Sequence, residues 1–233
     1  MCGRYTLTSP VQALRQMFEF EGSPNLAPRY NVAPTQTAAV VRADGDGGRE
    51  IAQMRWGLVP HWAKELAIGA RMINARAETV AAKPSFRQAY SRRRCLVPAD
   101  GYYEWRKEGS AKQPYLFLRR DRAPMGLAGL WERWTVPDGT AAEGFSAGDT
   151  IETFALLTTG AHEQVATIHH RMPLILDPAD FGLWLMPESD RAALDALLAP
   201  PAVTLDSFPV SRRVNSPRND DPACIEPLAA AAG

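Results

Sequence analysis

The stretch Cys95-Leu96-Val97-Pro98-Ala99-Asp100-Gly101-Tyr102-Tyr103-Glu104-Trp105 contains two short apolar runs that are separated by Asp100-Gly101. Runs of this length bounded by Pro, Asp and Gly are typical of β-strands joined by tight turns. Alternation along the second run places Tyr102 and Glu104 on one face of the strand and Tyr103 and Trp105 on the other. The stretch therefore predicts two strands, with a carboxylate among aromatic side chains where burial would raise its pKa.

The same pattern continues on both sides of this stretch. Further strands are predicted at Ala38–Val41, Ile51–Leu58, Tyr115–Leu118, Met125–Trp131, Phe154–Thr158 and Val203–Val214, with a turn at Asp44–Gly48. One helix is predicted to follow a cap at Ser9, with Pro10 in its first turn. Others are predicted around Ser85–Tyr90, Glu163–Ile168 and Asp177–Leu185, and a last one begins at a Ser189 cap and runs to Leu198. Many short strands with a few separated helices predict one α+β domain with a mainly antiparallel, barrel-like β core and peripheral helices.

The domain is expected to span residues 1–217, followed by a loosely ordered C-terminal tail at residues 218–233. The segment between Trp131 and Thr153 is rich in glycine and acidic residues, and is expected to be a surface loop with no catalytic part. No repeat and no Ser/Gly-rich linker divides the chain.

The composition excludes several classes of protein. Lys and Arg number 26 and Asp and Glu also number 26, so the chain is no polybasic nucleic-acid binder, although a local basic groove remains open. No apolar run approaches the roughly 18 residues of a membrane span. Three cysteines form neither a disulfide framework nor a metal motif. We therefore expect a cytoplasmic protein. We also expect it to have no membrane partner, no metal and no cofactor.

Cys2 offers unusual chemistry if Met1 is removed, because a free amine and a thiol then stand two carbons apart. The amine has an ordinary pKa of roughly 7.7–8.0 and is partly neutral near pH 7. It can condense with an aldehyde to an imine, after which the tethered thiol can close a five-membered thiazolidine ring. The alternative is that Cys2 is an ordinary small residue behind the start codon.

Three further places contain polar residues next to apolar segments. Glu104 is either a general acid and base or a carboxylate on the wet face of a strand. His169-His170-Arg171 serves either proton transfer and anion binding or only caps a helix. Asn74 and Arg76 share one face if their segment is extended, so they either bind a phosphate together or form a turn and a salt bridge.

Taken together and in order, these segments are much more specific than any one of them. The ordered set is Cys2-Gly3-Arg4-Tyr5, Arg29-Tyr30-Asn31-Val32-Ala33-Pro34, Trp56-Gly57-Leu58-Val59-Pro60 with Trp62, Ile73-Asn74-Ala75-Arg76-Ala77-Glu78-Thr79, Pro98-Ala99-Asp100-Gly101-Tyr102-Tyr103-Glu104-Trp105, Ile168-His169-His170-Arg171-Met172-Pro173 and Pro209-Val210-Ser211-Arg212-Arg213-Val214-Asn215. This set resembles the SRAP family, the SOS response-associated peptidases or abasic site processing proteins. The resemblance covers about Cys2 to Pro217.

The resemblance implies a monomeric domain that binds single-stranded DNA and crosslinks to an abasic site through a thiazolidine on its N-terminal cysteine, shielding the lesion during the DNA damage response. It implies Cys2 as the nucleophile, Glu104 as a proton shuttle and His169 as an aid to opening the deoxyribose ring. Asn74 would orient the N-terminus and Arg76 would bind the abasic-site phosphate. The weaker assignments to the DNA groove are Arg4, Asn31, Trp62 and Arg212. It also implies peptidase activity on Met1, unless an aminopeptidase removes that residue, and reversal of the crosslink.

Two other function classes remain open at this point. One is an N-terminal-nucleophile hydrolase in which the Cys2 thiol attacks and its own amine acts as the base. The other is a module that binds single-stranded DNA without covalent chemistry. A hydrolase would turn over its substrate, whereas the crosslinking hypothesis predicts near-stoichiometric trapping.

Overall fold

The structure is a computed structural model that describes residues 2–139, 144–200 and 202–228. The strands are β1 Tyr5–Leu7, β2 Arg29–Val32, β3 Thr37–Ala43, β4 Arg49–Trp56, β5 Asn74–Arg76, β6 Arg94–Ala99, β7 Gly101–Glu108, β8 Ala111–Arg119, β9 Met125–Thr135, β10 Thr150–Gly160, β11 Arg171–Pro173, β12 Ile175–Leu176 and β13 Leu205–Pro209. The α-helices are α1 Val11–Phe18, α2 Arg87–Arg92, α3 Glu163–Ala166, α4 Phe181–Leu185 and α5 Arg191–Ala196. Short 3-10 helices span Leu66–Arg71, Pro178–Asp180, Arg212–Asn215 and Pro222–Cys224.

Five strands close into a barrel. Strands β4, β3, β6, β9 and β10 pair in that order, and β10 returns to β4 through a parallel pairing of Phe154 with Trp56. The other pairings in this ring are antiparallel, and closure leaves these strands no open edge to protect. The predicted α+β fold with a mainly antiparallel, barrel-like core is therefore confirmed.

A second sheet carries the first strand of the chain in its interior. Its order is β13, β8, β7, β1 and β2, with antiparallel neighbours throughout. The alternation predicted along β7 is confirmed, because Tyr102 packs in the main core while Tyr103 and Trp105 pack in a separate cluster with Val210 and Val214.

Trp56 joins the sheet to the barrel. Its ring centroid lies 5.3 Å from that of Tyr5 in β1 and 6.0 Å from that of Phe154 in β10. The next residue, Gly57, has φ +126°, and a Cβ atom there would lie 2.6 Å from the carbonyl oxygen of Gly69. Only glycine allows this close approach of two backbones next to the site.

Several local predictions are wrong. Ser9 does not cap α1, since its hydroxyl hydrogen-bonds to Asp100. Asp190, and not Ser189, caps α5 by accepting hydrogen bonds from Ala192 and Ala193. Residues 203–214 are not one strand, because β13 ends at Pro209 and a 3-10 helix follows.

The segment between Trp131 and Thr153 is less of a loop than predicted. β9 continues to Thr135 and β10 begins at Thr150, so both ends of the segment belong to the longest antiparallel pair of the barrel. Residues 140–143 within it lie outside the described residues.

The tail predicted from residue 218 onward is packed as far as residue 228. Asp220 accepts hydrogen bonds from the backbone amides of Tyr30 and Asn31 and pairs with the Arg29 guanidinium. Cys224 is fully buried, and Pro227 forms a β-bridge with Val210. The prediction of a loose tail is wrong for residues 218–228, and residues 229–233 lie outside the described residues.

Replacing Asp220 with Asn tests how much this packing stabilises the fold. We expect D220N to lower the free energy of unfolding by about 1.5–3 kcal/mol, because Asn removes the charge and the oxygen that pairs with Arg29, although its remaining oxygen can still accept from the two amides. Urea denaturation measures this change.

Asp221, the next residue along the chain, has an exposed carboxylate that pairs with Arg213. The matched control is D221N, which removes this carboxylate. Solvent screens such a pair, so D221N should leave the urea midpoint unchanged. Equal midpoints for both variants and the wild type would show that Asp220 does not hold the segment.

Candidate functional site

The site begins at the N-terminal segment of the chain. Tyr5 of β1 pairs with Tyr102 of β7 on one side and with Val32 of β2 on the other. The backbone amide of Tyr103 donates to the carbonyl oxygen of Arg4 at 3.0 Å, which extends the pairing toward the N-terminus. Cys2 consequently has no exposed surface.

Asn74 fixes Cys2 from the neighbouring sheet. Its side-chain amide donates a hydrogen bond of 2.8 Å to the Cys2 carbonyl oxygen. Asn74 is the first residue of β5, which is held in place by parallel pairing with β10 at Leu156. The backbone of Cys2 is therefore tied to the barrel as well as to its own sheet.

Glu104 occupies the buried face of β7. The residue is 2% exposed, and this burial raises the pKa of its carboxyl above the ordinary range. Burial, followed by the charge of Glu104, also raises the pKa of the Cys2 thiol. Both groups are thus biased toward their protonated, uncharged forms.

His169 approaches Glu104 from the connection between α3 and β11. Its Nδ1 lies 3.9 Å from Glu104 Oε1, and it accepts a hydrogen bond of 3.0 Å from the backbone amide of Arg171. Burial lowers the pKa of His169, which favours the neutral imidazole. His170 is exposed and stacks on His169 with ring centroids 4.5 Å apart.

The structure thus brings together Cys2, Asn74, Glu104 and His169, the four residues that sequence analysis proposes for catalysis. They come from the N-terminal segment, β5, β7 and the α3–β11 connection. The raised pKa of the carboxyl and the lowered pKa of the imidazole draw the two values together, which favours proton exchange between the groups.

Of the five residues predicted to bind DNA, three have exposed side chains. Arg76 lies two residues from Asn74 in β5, Trp62 is 52% exposed, and Arg212 is exposed on its 3-10 helix. Their side chains form no hydrogen bond or ion pair with any other residue that the structure describes.

The other two predicted DNA contacts are used inside the protein. Asn31 is fully buried, and its amide donates to the carbonyl oxygens of Val214, Ser216 and Asn219. The Arg4 guanidinium donates to the carbonyl oxygen of Val214 at 2.7 Å. The prediction that Asn31 contacts DNA is therefore wrong for this structure, since its side chain offers no surface, and Arg4 is half-buried with its guanidinium on the backbone.

The segment from Thr79 to Ala99 contains five basic residues and no acidic one, but these do not form one positive surface. Arg94 is buried, with hydrogen bonds to the carbonyl oxygens of Tyr90, Ser91, Trp184 and Met186. Arg93 pairs with Glu132 at 2.7 Å. Sequence analysis also missed the ion pair between Glu78 and Arg171 beside the site, although alternation places Glu78 on the same side of the chain as Arg76.

Within residues 2–139, 144–200 and 202–228, no cluster of three or more His, Cys, Asp and Glu side chains is placed to hold a metal ion. In the same ranges, no helix is long and apolar enough to cross a membrane.

Comparison with known proteins identifies the family and several relatives. A family model described as SOS response associated peptidase (SRAP) matches residues 1–217. The abasic site processing protein YoqW of Bacillus subtilis (strain 168) is 38% identical, over 97% of this chain and 99% of that one. The abasic site processing protein HMCES of Gallus gallus is 32% identical, over 93% of this chain and 71% of that one. A crystal structure of a Bacteroides thetaiotaomicron protein (target BtR8) matches with TM-score 0.84 at 27% identity, over 97% of this chain and 100% of that one.

The raised pKa of Glu104 predicts a stability that depends on pH. A carboxyl whose pKa is higher in the folded than in the unfolded chain destabilises the fold progressively as pH rises above about 4.3, its unfolded value. We therefore expect E104Q to unfold at higher urea concentration than the wild type at pH 7, with the difference vanishing near pH 4.

The matched control is E108Q, which changes an exposed glutamate on the same strand. Its urea midpoint should follow that of the wild type between pH 4 and pH 7. A wild-type midpoint for E104Q at pH 7 would contradict the electrostatic cost of burying Glu104.

Proposed function

The chain belongs to the SOS response associated peptidase (SRAP) family, and from this membership we propose that it processes abasic sites in single-stranded DNA by a covalent reaction of Cys2. The names of the relatives, abasic site processing proteins, support the class of substrate. The observation that carries the chemistry is the hydrogen bond from Asn74 to the Cys2 backbone, which holds Cys2 near Glu104 and His169.

The proposed reaction begins once hydrolysis has removed Met1. The Cys2 amine adds to the C1′ aldehyde of the ring-opened deoxyribose, and the resulting carbinolamine loses one water to give an imine. The Cys2 sulfur then bonds to the same carbon, while the thiol proton ends on the former imine nitrogen. The product is a thiazolidine, and the crosslinking step releases one water and needs no oxidant or reductant.

The residues around Cys2 have roles that match these steps. Asn74 orients the Cys2 backbone, so that the amine and the thiol of Cys2 can both bond to the same C1′ carbon of the substrate. Glu104, whose pKa is raised, holds a proton that can be given to the departing hydroxyl, and the resulting carboxylate can accept the thiol proton. Neutral His169 can donate from its ring N–H to the sugar-ring oxygen when the ring opens.

The hydrolase hypothesis is less well supported by the site. An attacking thiolate needs a lowered thiol pKa, usually from a nearby cation or a helix N-terminus. Burial and the charge of Glu104 instead raise the pKa of the Cys2 thiol. In ring closure the sulfur instead adds to an imine already formed beside it, and the Glu104 carboxylate can take the thiol proton as the bond forms.

A denaturing gel with single-stranded DNA carrying one abasic site tests the proposal. We expect the wild type, but not C2A, to give a shifted band whose intact mass equals protein without Met1 plus DNA minus one water. E104Q should form this band about 100-fold more slowly, since general acid–base catalysis contributes at least that factor.

A form that retains Met1 is the control, because its Cys2 nitrogen is an amide and cannot form the imine. The absence of an adduct from wild-type protein shown by mass spectrometry to begin at Cys2 would overturn the proposal.

Arg76 tests the phosphate contact separately from the chemistry. We expect R76Q to weaken binding to single-stranded DNA and to reduce the slope of log affinity against log salt concentration by about 0.7, the value for one phosphate contact. Fluorescence anisotropy at several salt concentrations measures the slope.

R15Q serves as the control, since Arg15 is an exposed arginine on α1, a helix that contributes no residue to the site. An unchanged slope for R76Q would remove Arg76 from the phosphate site.

A further inference from the structure

Glu78 and Arg171 form a two-point ion pair beside the site. Arg171 Nη1 lies 2.5 Å from Glu78 Oε1, and Nη2 lies 3.0 Å from Oε2. Arg171 Nη2 also donates to the carbonyl oxygen of Thr158 in β10. The Arg171 side chain is only 13% exposed, whereas that of Glu78 is 52% exposed. With the Thr158 hydroxyl, which accepts from Nη2 at 3.3 Å, four acceptors hold one guanidinium in a fixed place.

This ion pair connects two parts of the site across β10. Glu78 follows β5, which carries Asn74 and pairs with β10 on one side. Arg171 begins β11, which pairs with β10 through Gly160. The contact therefore ties the chain after β5 to the segment that carries His169.

The backbone of Arg171 contacts the His169 ring through two groups of opposite character. His169 Nδ1 lies 3.0 Å from the Arg171 amide nitrogen and 3.1 Å from the Arg171 carbonyl oxygen. A neutral imidazole accepts from the amide at Nδ1 and then carries its proton on Nε2. An Nδ1–H, whether of the other neutral form or of the imidazolium, can donate to the carbonyl oxygen instead, so it is the amide contact that favours a proton on Nε2.

We propose that Glu78 is a positioning residue for His169: by anchoring Arg171, it holds the Arg171 backbone against Nδ1 and so keeps the proton of the neutral ring on Nε2. The proposal rests on the function proposed above, in which His169 exchanges protons with the substrate. Glu78 itself acts only through Arg171.

The same ion pair also influences the pKa of His169, because Glu78 partly neutralises the Arg171 cation beside the ring. The charged groups that act on the ring include the N-terminal amine, Glu104 of β7, Lys112 of β8, the adjacent His170 and Arg171 of β11. Burial is the main cause that lowers the pKa of His169, and the Arg171 cation lowers it further. Removing the Glu78 carboxylate leaves that cation without its partner, so the His169 pKa should fall.

The test compares E78A with the wild type in two independent measurements. The first is the ¹⁵N chemical shift of the His169 ring nitrogens, which reports the position of the proton without any DNA. We expect a protonated Nε2 in the wild type and a mixture of the two neutral forms in E78A.

The second measurement is the single-turnover rate of adduct formation with saturating single-stranded DNA that carries one abasic site. We expect E78A to react about 10-fold more slowly, a fraction of what general acid–base catalysis contributes. The acidic limb of its pH–rate profile should move to lower pH. Affinity for undamaged single-stranded DNA should stay equal or rise, since a carboxylate near Arg76 has been removed.

The matched control is D121A, which breaks the two-point ion pair of Asp121 with Arg119 after β8, outside the site. Its ring shifts, rate and pH profile should equal those of the wild type. If E78A does not fold, E78Q replaces it, because Gln keeps the size of the side chain and removes its charge.

Wild-type ring shifts for E78A would overturn the proposal, and so would a reduced rate with an unchanged pH profile, which indicates a purely structural role. A wild type that forms no adduct would instead overturn the proposed function. In that case the ring shifts alone decide whether Glu78 positions His169.

Discussion

The structure depends on holding the second residue of the chain in a buried position. N-terminal residues usually fray unless other elements hold them. Here a strand of only three residues, β1, is paired on both sides, and Asn74 binds the carbonyl group of Cys2. The Arg4 guanidinium fastens the 3-10 helix at Arg212–Asn215 to the same segment. Residues far apart in the sequence are thus needed to fix Cys2 in place.

This arrangement has an energetic cost that other parts of the molecule offset. Glu104 lies on the buried face of a strand where an apolar side chain would be more stable, and His169 is partly buried beside it. The closed barrel and the aromatic contacts of Trp56 with Tyr5 and Phe154 provide well-packed apolar burial around the site. The barrel therefore supplies stability that is partly lost where Glu104 and His169 are buried, as is common in functional sites.

The sequence predicts those features that local patterns encode. Alternation along β7 correctly separates Tyr102 from Tyr103, and short apolar runs correctly predict a β-rich domain. Asp220 escapes such analysis, because its partners Tyr30 and Asn31 lie about 190 residues away and no local pattern marks them. Asn31 is misassigned for the same reason, since an amide suited to DNA is equally suited to three backbone carbonyls. The Ser9 cap fails because Asp100 binds that hydroxyl instead.

Net charge is an equally poor guide to the surface, because what matters is which arginines remain unpaired. Arg93 and Arg94 are engaged inside the protein, whereas Arg76 is exposed beside Asn74. Glu78 lies two residues from Arg76, where its charge opposes the approach of a phosphate. A groove selected only for affinity would not keep a carboxylate there. We propose a different role for Glu78: its two-point contact with Arg171 orders the Arg171 backbone, which hydrogen-bonds to the His169 ring. In the function proposed above, the site gives up some attraction for DNA in return for a defined proton position.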